Sequence, residues 1–501
     1  MLRSAAVFGV DAYPVDIEVD VSFGLPHFTM VGLPDATVRE SRDRVRSAIR
    51  NSGFDFPRHR ITVNLAPADV RKAGSSFDLP IALGLLAISG SLNRHSVTDT
   101  VVVGELSLDG GINAIRGVLP IAIAARRLGL KRLLLPPQNV AEACVVAGLE
   151  VCQARSLPEA VAALNRPDEA PLAHASPAVA PPPSSDDGDL SDVRGQLFAR
   201  RALEVAAAGG HNLLLSGPPG AGKTMMARRL ASILPPLSFD EALECTAIHS
   251  VAGTLPQGAG LLVQRPFRAP HHTISNVALV GGGAIPRPGE ISLAHNGVLF
   301  LDEMPEFHRR VLEVLRQPLE EGRVAIARAA RTAVFPARFV LVAAMNPCPC
   351  GFSGDDRRPC RCTPAQIANY RGRLSGPLRD RIDLIVEVPA VPVAAIAEAA
   401  PGEASATVRE RVCAARERQQ SRLPVTGART NAELRGRSGM HACRPDTAGR
   451  ELLQRAAERF GLSARGYDRV LKVARTIADL GDCERVGSDQ VAEALQYRLV
   501  E

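Results

Sequence analysis

Short apolar runs alternate with stretches of helical periodicity over the first 165 residues. Runs rich in β-branched residues at 15–21, 61–65 and 101–103 predict strands, and the segments 37–52 and 119–128 predict helices. This alternation indicates an α/β domain over residues 1–165.

The pattern then changes twice. Residues 166–189 are rich in Pro, Ala, Ser and Asp without apolar periodicity, which predicts a flexible linker. Strands and helices alternate again over 190–390, whereas 391–501 carries only helical patterns. Its helices are predicted at 404–422, 463–480 and 488–499. We therefore expect an α/β core followed by a helical domain.

Composition adds little to this picture. The 501 residues are 46% hydrophobic and 22% charged, with a net charge of +6, which permits a nucleic-acid partner without requiring one. The N-terminal apolar segment is too short for a signal peptide, and the longest apolar stretch, 79–92, is shorter than the roughly 20 residues of a membrane helix. We expect a cytoplasmic protein with no membrane segment.

A nucleotide site is predicted where a buried strand at 213–216 runs into a glycine-rich loop and then a helix. The sequence fits the pattern GxxxxGK[ST], in which backbone N–H groups and the helix N-terminus bind phosphates. Lys223 is expected to reach the β- and γ-phosphates of ATP, and the Thr224 hydroxyl to bind Mg²⁺. The predicted nucleotide-binding residues are Gly217, Pro218, Pro219, Gly220, Ala221, Gly222, Lys223 and Thr224.

Two later strands end in polar residues that suit the same site. An apolar strand after Gly297 ends in Asp302 and Glu303, which we expect to hold the Mg²⁺ shell and to polarise the attacking water. The strand 339–345 ends in Asn346, predicted to orient that water, the sensor-1 role of AAA+ ATPases. Solvent-facing acids and a turn-forming Asn are the alternatives.

Arginines that follow the core strands suggest catalysis between subunits. Arg381 is predicted to be an arginine finger that reaches a neighbour's γ-phosphate, with Arg379 as the alternative. The alternative is that Arg381 is a surface residue that forms an ion pair with Asp380 or Asp383. Arg465, or Arg469 one turn later, is predicted to contact phosphates from the helical domain as sensor 2.

Four cysteines form two CxC pairs directly after Asn346. A chain bent at Pro349 and Gly351 can gather four thiolates into the tetrahedron that a structural zinc ion prefers. Four reduced thiols on a loop are the alternative. The predicted zinc ligands are Cys348, Cys350, Cys360 and Cys362.

The sequence resembles the Mg-chelatase-like AAA+ ATPases of the YifB/ComM group. The strings that carry the resemblance are PFRAPHHTIS at 266–275, PRPGEISLAHNG at 286–297 and NPCPCG at 346–351. The resemblance implies a homohexameric ring, ATP and Mg²⁺, and a helical lid domain. It also implies a DNA branch-migration helicase that acts on single-stranded and branched DNA during recombination in natural transformation.

The N-terminal domain is similar to the Lon protease domain, of the ribosomal S5 domain 2-like fold shared with RadA. The similar segments are GELSLDGG at 104–111 and the stretch 119–136. The nucleophile position falls near Phe77 or Asp78 and the base position near Leu119, so neither catalytic group is present. Lys72 beside Ser75 or Ser76 is a remote alternative. We therefore expect a non-catalytic scaffold or a DNA-contacting platform.

Two inserted hairpins are candidates for substrate contact. One spans 273–289 with a Gly281–Gly283 tip, and the other spans 322–334 and carries Arg328 and Arg331. Neither tip has an aromatic residue, so backbone contacts to phosphates are favoured over base stacking. Solvated surface hairpins are the structural alternative. A chelatase-type remodeller of a protein partner, without nucleic acid, is the alternative function, and a nucleotide-dependent scaffold with weak ATPase activity is a third.

Overall fold

The computed structural model describes residues 1–70, 72, 74–93, 99–173, 188–256, 258–283, 285–327, 332–354, 358–391 and 400–498. Within these ranges the chain is a mixed α/β protein with two large sheets and many helices, as predicted. No described helix combines the length and apolar character needed to cross a bilayer.

An eight-stranded mixed sheet forms the N-terminal part. Its spatial order is β10-β9-β8-β5-β1-β2-β4-β3, and β3 is an edge strand. The strands and helices of this part are β1 Leu2–Phe8, β2 Asp11–Ser22, β3 His27–Val31, α1 Ala36–Asn51, β4 Arg60–Ala66, α2 Asp78–Ile88, β5 Thr100–Val102, β6 Glu105–Leu106, β7 Ile112–Asn113, α3 Val118–Arg127, β8 Arg132–Leu135, α4 Val140–Ala143, β9 Glu150–Gln153, α5 Leu157–Asn165 and β10 Leu172–Ala173.

Helix α1 shows how the sequence pattern produces this part. The Asp35 side chain caps its N-terminus by accepting a hydrogen bond from the Val38 N–H, and Val38, Val45 and Ile49 are buried along one face. The ordered sheet extends beyond the predicted boundary at residue 165, because β10 pairs with β9. Most of the predicted linker, 174–187, lies outside the described residues.

A five-stranded parallel sheet forms the central part, in the order β12-β15-β18-β11-β19. Two small hairpins, β13–β14 and β16–β17, are inserted beside it. The elements are α6 Leu197–Gly209, β11 Leu213–Ser216, α7 Lys223–Ile233, α8 Phe239–Ala252, β12 Phe267–Arg268, α9 Asn276–Val280, β13 Gly281–Gly282, β14 Arg287–Pro288, α10 Glu290–Leu293, β15 Val298–Leu301, α11 Arg309–Glu313, α12 Arg316–Glu321, β16 Arg323–Ala327, β17 Thr332–Pro336, β18 Val340–Met345, α13 Pro364–Arg371, α14 Gly376–Arg379 and β19 Leu384–Glu387.

The described C-terminal residues beyond 400 are helical, as the periodicity predicted. These helices share one hydrophobic core with a face of the parallel sheet: Val412 and Ala474 lie in the same cluster as Leu203 and Val342. Their bounds are α15 Ser405–Thr426, α16 Gly436–Ala442, α17 Thr447–Phe460, α18 Ala464–Leu480 and α19 Ser488–Gln496.

The N-terminal part packs directly against the central part. Ala247 of α8 is buried in the same apolar cluster as Leu119 of α3. At this junction the Ser250 hydroxyl donates to the buried carboxylate of Glu142, and burial raises the pKa of Glu142. Phe8 packs against the cluster that contains the second hairpin. Helix α8 and the second hairpin therefore both lie against the N-terminal part.

Candidate functional site

The glycine-rich loop leaves the carboxyl end of β11, between the neighbouring strands β18 and β19. A Cβ atom at Gly217 would lie 2.1 Å from the Val388 carbonyl oxygen, so only glycine allows the loop to leave the sheet there. Gly222 has φ of 85°, a left-handed conformation that places Lys223 as the first residue of α7. The local sequence thus builds a strand, loop and helix N-terminus suited to phosphate.

Lys223 is folded into the loop and is 8% exposed. Its ammonium donates to the carbonyls of Gly217 at 2.6 Å and Pro218 at 2.9 Å, and to Asn346 Oδ1 at 3.1 Å. Burial lowers the pKa of Lys223, and the carboxylates of Asp302 and Glu303 oppose this shift. The predicted phosphate ligand and the predicted sensor residue are therefore in direct contact.

The acidic pair follows β15, whose four residues are all buried. Asp302 Oδ2 accepts a hydrogen bond from the Thr224 hydroxyl at 2.7 Å, so the two predicted Mg²⁺ ligands are adjacent. Asp302 Oδ1 accepts from the Glu303 N–H at 2.9 Å. Glu303 has φ of 49° and an exposed side chain, which directs its carboxylate away from the strand. A carboxylate and a hydroxyl fit the oxygen ligands that Mg²⁺ prefers.

His272 is a neighbour of this site that the sequence reasoning did not single out. Its Nδ1 lies 3.9 Å from Glu303 Oε2, and its ring contacts that of His271 at a centroid distance of 4.0 Å. His272 sits in the loop between β12 and the first inserted hairpin. Its loop follows β12, three strands from β11 in the sheet, so no local motif connects it to the P-loop. The signal that the sequence offered was the string PFRAPHHTIS at 266–275.

The predicted arginines lie elsewhere. Arg381 is 6% exposed; its Nη1 donates to the Pro377 carbonyl at 2.6 Å and its Nη2 contacts Glu320. The ion pair expected with Asp380 or Asp383 is thus replaced by one with Glu320 from α12. Arg379, the alternative finger, is exposed.

These arginines and the P-loop occupy opposite ends of β11. The Arg381 carbonyl accepts from the Asn212 side chain at 2.9 Å, and Asn212 precedes β11, whereas the P-loop follows it. Four strand residues separate the two ends by about 13 Å. Arg381 is thus placed away from the phosphate loop of its own chain.

The sensor-2 candidates lie on the same side as Arg381. Burial lowers the pKa of the Arg381 guanidinium, the Glu320 carboxylate opposes this shift, and the positive charges of Arg316, Arg465 and Arg469 lower the pKa further. Arg465 is exposed at the start of α18, whereas Arg469 is paired with the buried Asp383. Arg465 therefore lies close enough to Arg381 for the two positive charges to interact.

The four cysteines after Asn346 converge. Sγ–Sγ distances are 3.4 Å for Cys348–Cys350, 3.7 Å for Cys348–Cys360 and 3.6 Å for Cys350–Cys360, and all four sulfurs lie within 4.8 Å of one another. Tetrahedral zinc with Zn–S bonds of about 2.3 Å requires sulfurs about 3.8 Å apart. The cluster with Cys362 can therefore hold a metal ion.

Backbone hydrogen bonds support thiolates in this cluster. The Ser353 N–H lies 3.3 Å from Cys348 Sγ, and the Cys362 N–H lies 3.4 Å from Cys360 Sγ. Backbone N–H groups of Arg361 and Phe352 lower the pKa of Cys350 to about 6, whereas at Cys360 and Cys362 the backbone donors are outweighed by burial and the neighbouring thiols, which raise the pKa. Such donors favour the deprotonated sulfur that binds metal.

The protease-like positions of the N-terminal part are occupied by Phe77, Asp78 and Leu119, none of which is a serine or a lysine. Ser75 donates to Glu105, and the buried Lys72 donates to the Pro67 carbonyl. Asp78 is buried and paired with Arg44 at 2.6 Å. Leu119 is also buried, so these side chains support the fold.

Comparison with known proteins decides the family. Three family profiles match: "Magnesium chelatase, subunit ChlI" over residues 189–396, "Subunit ChlI of Mg-chelatase" over 17–139, and "Magnesium chelatase, subunit ChlI C-terminal" over 402–498. The chain is 47% identical to the YifB protein of Salmonella typhimurium, over 100% of this chain and 97% of the relative. The chain belongs to the YifB/ComM family of Mg-chelatase-like AAA+ ATPases.

Further relatives agree with this placement. YifB/ComM family members include the competence protein ComM of Haemophilus influenzae, 46% identical over 99% of this chain and 97% of the relative. The Lon protease of Chloroflexus aurantiacus is 30% identical over 132 residues, which is 25% of this chain and 16% of that protein. The family assignment supports ATP and Mg²⁺ as cofactors.

Proposed function

We propose that the chain is the subunit of a ring-shaped, ATP-driven DNA motor that migrates branch points during homologous recombination, in natural transformation. The observation that carries this proposal is the separation of Arg381 from its own P-loop at opposite ends of β11. A residue so placed acts on a phosphate only across a subunit interface. The name of the Haemophilus relative, a competence protein, supplies the biological setting.

Hydrolysis in this proposal uses residues already in contact. Lys223 binds the β- and γ-phosphates, and Thr224 and Asp302 hold Mg²⁺, which neutralises phosphate charge during transfer. Glu303 polarises the attacking water and Asn346 orients it. The Lys223–Asn346 hydrogen bond supports this pairing, because both side chains face the same phosphate position.

The neighbouring subunit completes the site. Arg381 reaches the neighbour's γ-phosphate, and Arg465 joins it as sensor 2 from the same side of the molecule. The clustered positive charge around Arg381 supports an anionic partner there. Release from Glu320 frees the guanidinium on assembly. A heterologous contact of this kind closes into a ring, which we propose is a homohexamer.

DNA contacts are assigned to the two inserted hairpins at the ring channel. The first presents Gly281–Gly283 beyond α9, and the second is formed by β16 and β17. Arg328 and Arg331 lie outside the described residues, in the connection between β16 and β17. We propose that they contact phosphates, which makes binding salt-sensitive and independent of base sequence.

The domain organisation follows the same proposal. Residues 1–173, which include β10, form a non-catalytic Lon-like domain, 174–189 a linker, 190–390 the AAA+ core, and 391–501 a helical lid. The shared core of α15 and α18 with the parallel sheet supports a lid that is packed against that sheet. We also propose that the cysteine cluster holds structural zinc and that the protein acts in the cytoplasm.

The test is ATP-dependent strand displacement on a four-way junction by the purified full-length chain. We expect the junction to move. In the double variant Arg328→Ala with Arg331→Ala, the log–log slope of DNA affinity against salt concentration should decrease by about one unit per lost phosphate contact. Its basal ATPase activity should stay intact. Rings that hydrolyse ATP but neither bind DNA nor move the junction would favour the alternative, a chelatase-type remodeller of a protein partner.

A further inference from the structure

An exposed apolar tip protrudes from the N-terminal sheet, far in sequence from the ATPase site. Phe23 is 96% exposed and Leu25 is 88% exposed, the two highest values among the large apolar side chains described. Both lie in the turn between β2 and β3, and β3 is the edge strand of the sheet. Single exposed apolar residues are ordinary, but two on one turn indicate a contact surface.

Cationic and aromatic groups surround this tip. Arg58, His59 and Arg60 form an exposed run beside it, and the Phe23 and His59 rings lie 5.2 Å apart. Arg60 begins β4 and is the cross-strand partner of both Ser22 and His27, so it lies between the two ends of the turn. No described carboxylate forms an ion pair with Arg58 or Arg60.

We propose that this surface, the β2–β3 patch of Phe23, Leu25, Arg58, His59 and Arg60, binds single-stranded nucleic acid. Phe23 provides a face on which a base stacks, and the two guanidiniums contact phosphates. The inference rests on the proposed DNA motor and adds a second contact, outside the ring channel, that engages the strand by stacking.

The charge of the surface favours a polyanion over a second copy of the chain. The chain carries a net charge of +6, and two copies of this patch facing each other would place Arg58 and Arg60 against like charges. A phosphate backbone pairs with both guanidiniums and leaves the bases free to reach Phe23. Non-specific binding by stacking and charge requires no base-edge recognition.

The absence of tryptophan from the sequence allows a direct test. Phe23→Trp creates the single tryptophan of the chain, placed on the turn in solvent, where substitution leaves the core unchanged. We expect oligothymidine to quench its fluorescence, because a stacked base contacts the indole. The matched control is Phe460→Trp, on α17, where the native ring is 49% exposed and has Arg459 beside it; its fluorescence should not change.

Binding measured by anisotropy of labelled oligothymidine separates stacking from apolar contact. Phe23→Ala should weaken binding about 5- to 150-fold, the loss of one stacked base. Phe23→Leu, which keeps an apolar side chain but no ring, should be as weak as Phe23→Ala, and Phe23→Trp should bind like wild type. Arg58→Ala with Arg60→Ala should reduce the salt slope by about 1.4, at about 0.7 per phosphate of a single strand.

The outcomes distinguish this inference from the proposed motor. Two results would overturn the β2–β3 patch as a binding site and leave the proposed motor intact, provided that wild-type protein still binds and moves junctions. One is wild-type affinity of Phe23→Ala for oligothymidine. The other is no fluorescence quenching in Phe23→Trp. A tryptophan signal that depends on protein concentration and not on oligothymidine identifies a contact between copies and overturns the patch. No DNA binding by wild type overturns both.

Discussion

At the scale of single residues, the chemistry depends on which side chains share a hydrogen bond. Lys223 contacts Asn346, and Thr224 contacts Asp302, so consecutive residues of α7 bind the polar ends of two different strands. Parallel strands bring their carboxyl ends to one edge of the sheet, which is why residues 78 to 123 positions apart in sequence meet. Each side chain therefore has a separable task.

The separation of tasks between Lys223 and Glu303 gives the first prediction. Lys223→Ala should weaken ATP binding about 10- to 100-fold, because a charged hydrogen-bond donor to phosphate is lost. Glu303→Gln should bind ATP normally but lower turnover at least about 100-fold, because an amide does not accept the proton of water. Nucleotide binding by fluorescence and steady-state phosphate release measure the two effects.

The control for Glu303 is Glu306→Gln. Glu306 is an exposed carboxylate three residues later, paired with Arg373 at 2.9 Å. Turnover should stay near the wild-type rate in this variant. Normal steady-state ATPase activity in Glu303→Gln would exclude Glu303 as the residue that polarises water.

At the scale of elements, the cysteine loop connects the sensor strand to the P-loop. The loop begins directly after Asn346, and a Cβ atom at Gly351 would lie 2.6 Å from Pro219 Cδ. Gly351 has φ of 86°, which only glycine adopts readily. A metal ion in the cluster would thus fix a segment that touches both the strand end and the phosphate loop.

Metal analysis of the purified protein tests this element. We expect about one zinc ion per chain, bound by four thiolates. Cys360→Ser should lose the zinc and lower both the unfolding temperature and the ATPase rate, because the loop no longer supports Asn346. Cys483→Ser, a free cysteine on the helical part, should keep the metal. Metal-free protein with an intact fold and full activity would contradict the prediction.

At the scale of the whole molecule, the arrangement of parts places the candidate catalytic groups on two opposite sides. The P-loop lies at the carboxyl end of β11, whereas Arg381 and Arg465 lie with the helices at the other end. Asp383 connects these helices to the sheet, since it accepts from the Asn212 N–H at 3.0 Å and pairs with Arg469. Burial acts to raise the pKa of Asp383, but Arg469 and His211 outweigh it and hold that pKa well below its usual range.

A subunit-mixing experiment tests whether the two sides meet between neighbours. Arg381→Ala should lower ATPase activity by about 10³-fold or more while ATP still binds. An equal mixture with Glu303→Gln should recover about one quarter of the wild-type rate, because one interface in four joins an intact Glu303 to an intact Arg381 in a heterologous ring. Phosphate release on mixing is the measurement.

Arg379 provides the matched variant for that experiment. It is exposed, whereas Arg381 is buried against Glu320 in the single chain. Arg379→Ala should keep activity if Arg381 is the finger. If mixing with Glu303→Gln restores ATPase activity to Arg379→Ala but not to Arg381→Ala, the arginine finger is Arg379.

Local sequence determined the elements and the core of the site. The strand 213–216 was predicted with its observed bounds, and the P-loop was predicted from its glycines and helix start. Helices 37–52 and 119–128 were predicted within one residue of α1 and α3. The strand, the helices and the P-loop depend on apolar periodicity and on backbone conformations that glycine adopts readily. Both are properties of residues that are close together in the sequence. The family was likewise recognised from short strings, and the comparisons confirmed it.

Only the tertiary structure decided which distant residues share a surface. The partner of Arg381 proved to be Glu320 instead of Asp380 or Asp383, and Arg465 came to lie within electrostatic range of Arg381. The contact of His272 with Glu303, and the packing of Phe8 near the second hairpin, were likewise absent from the sequence pattern. Such contacts depend on strand order and on how helices cover the sheet. They result from the packing of the whole chain, because burial of apolar surface constrains each element against all its neighbours at once.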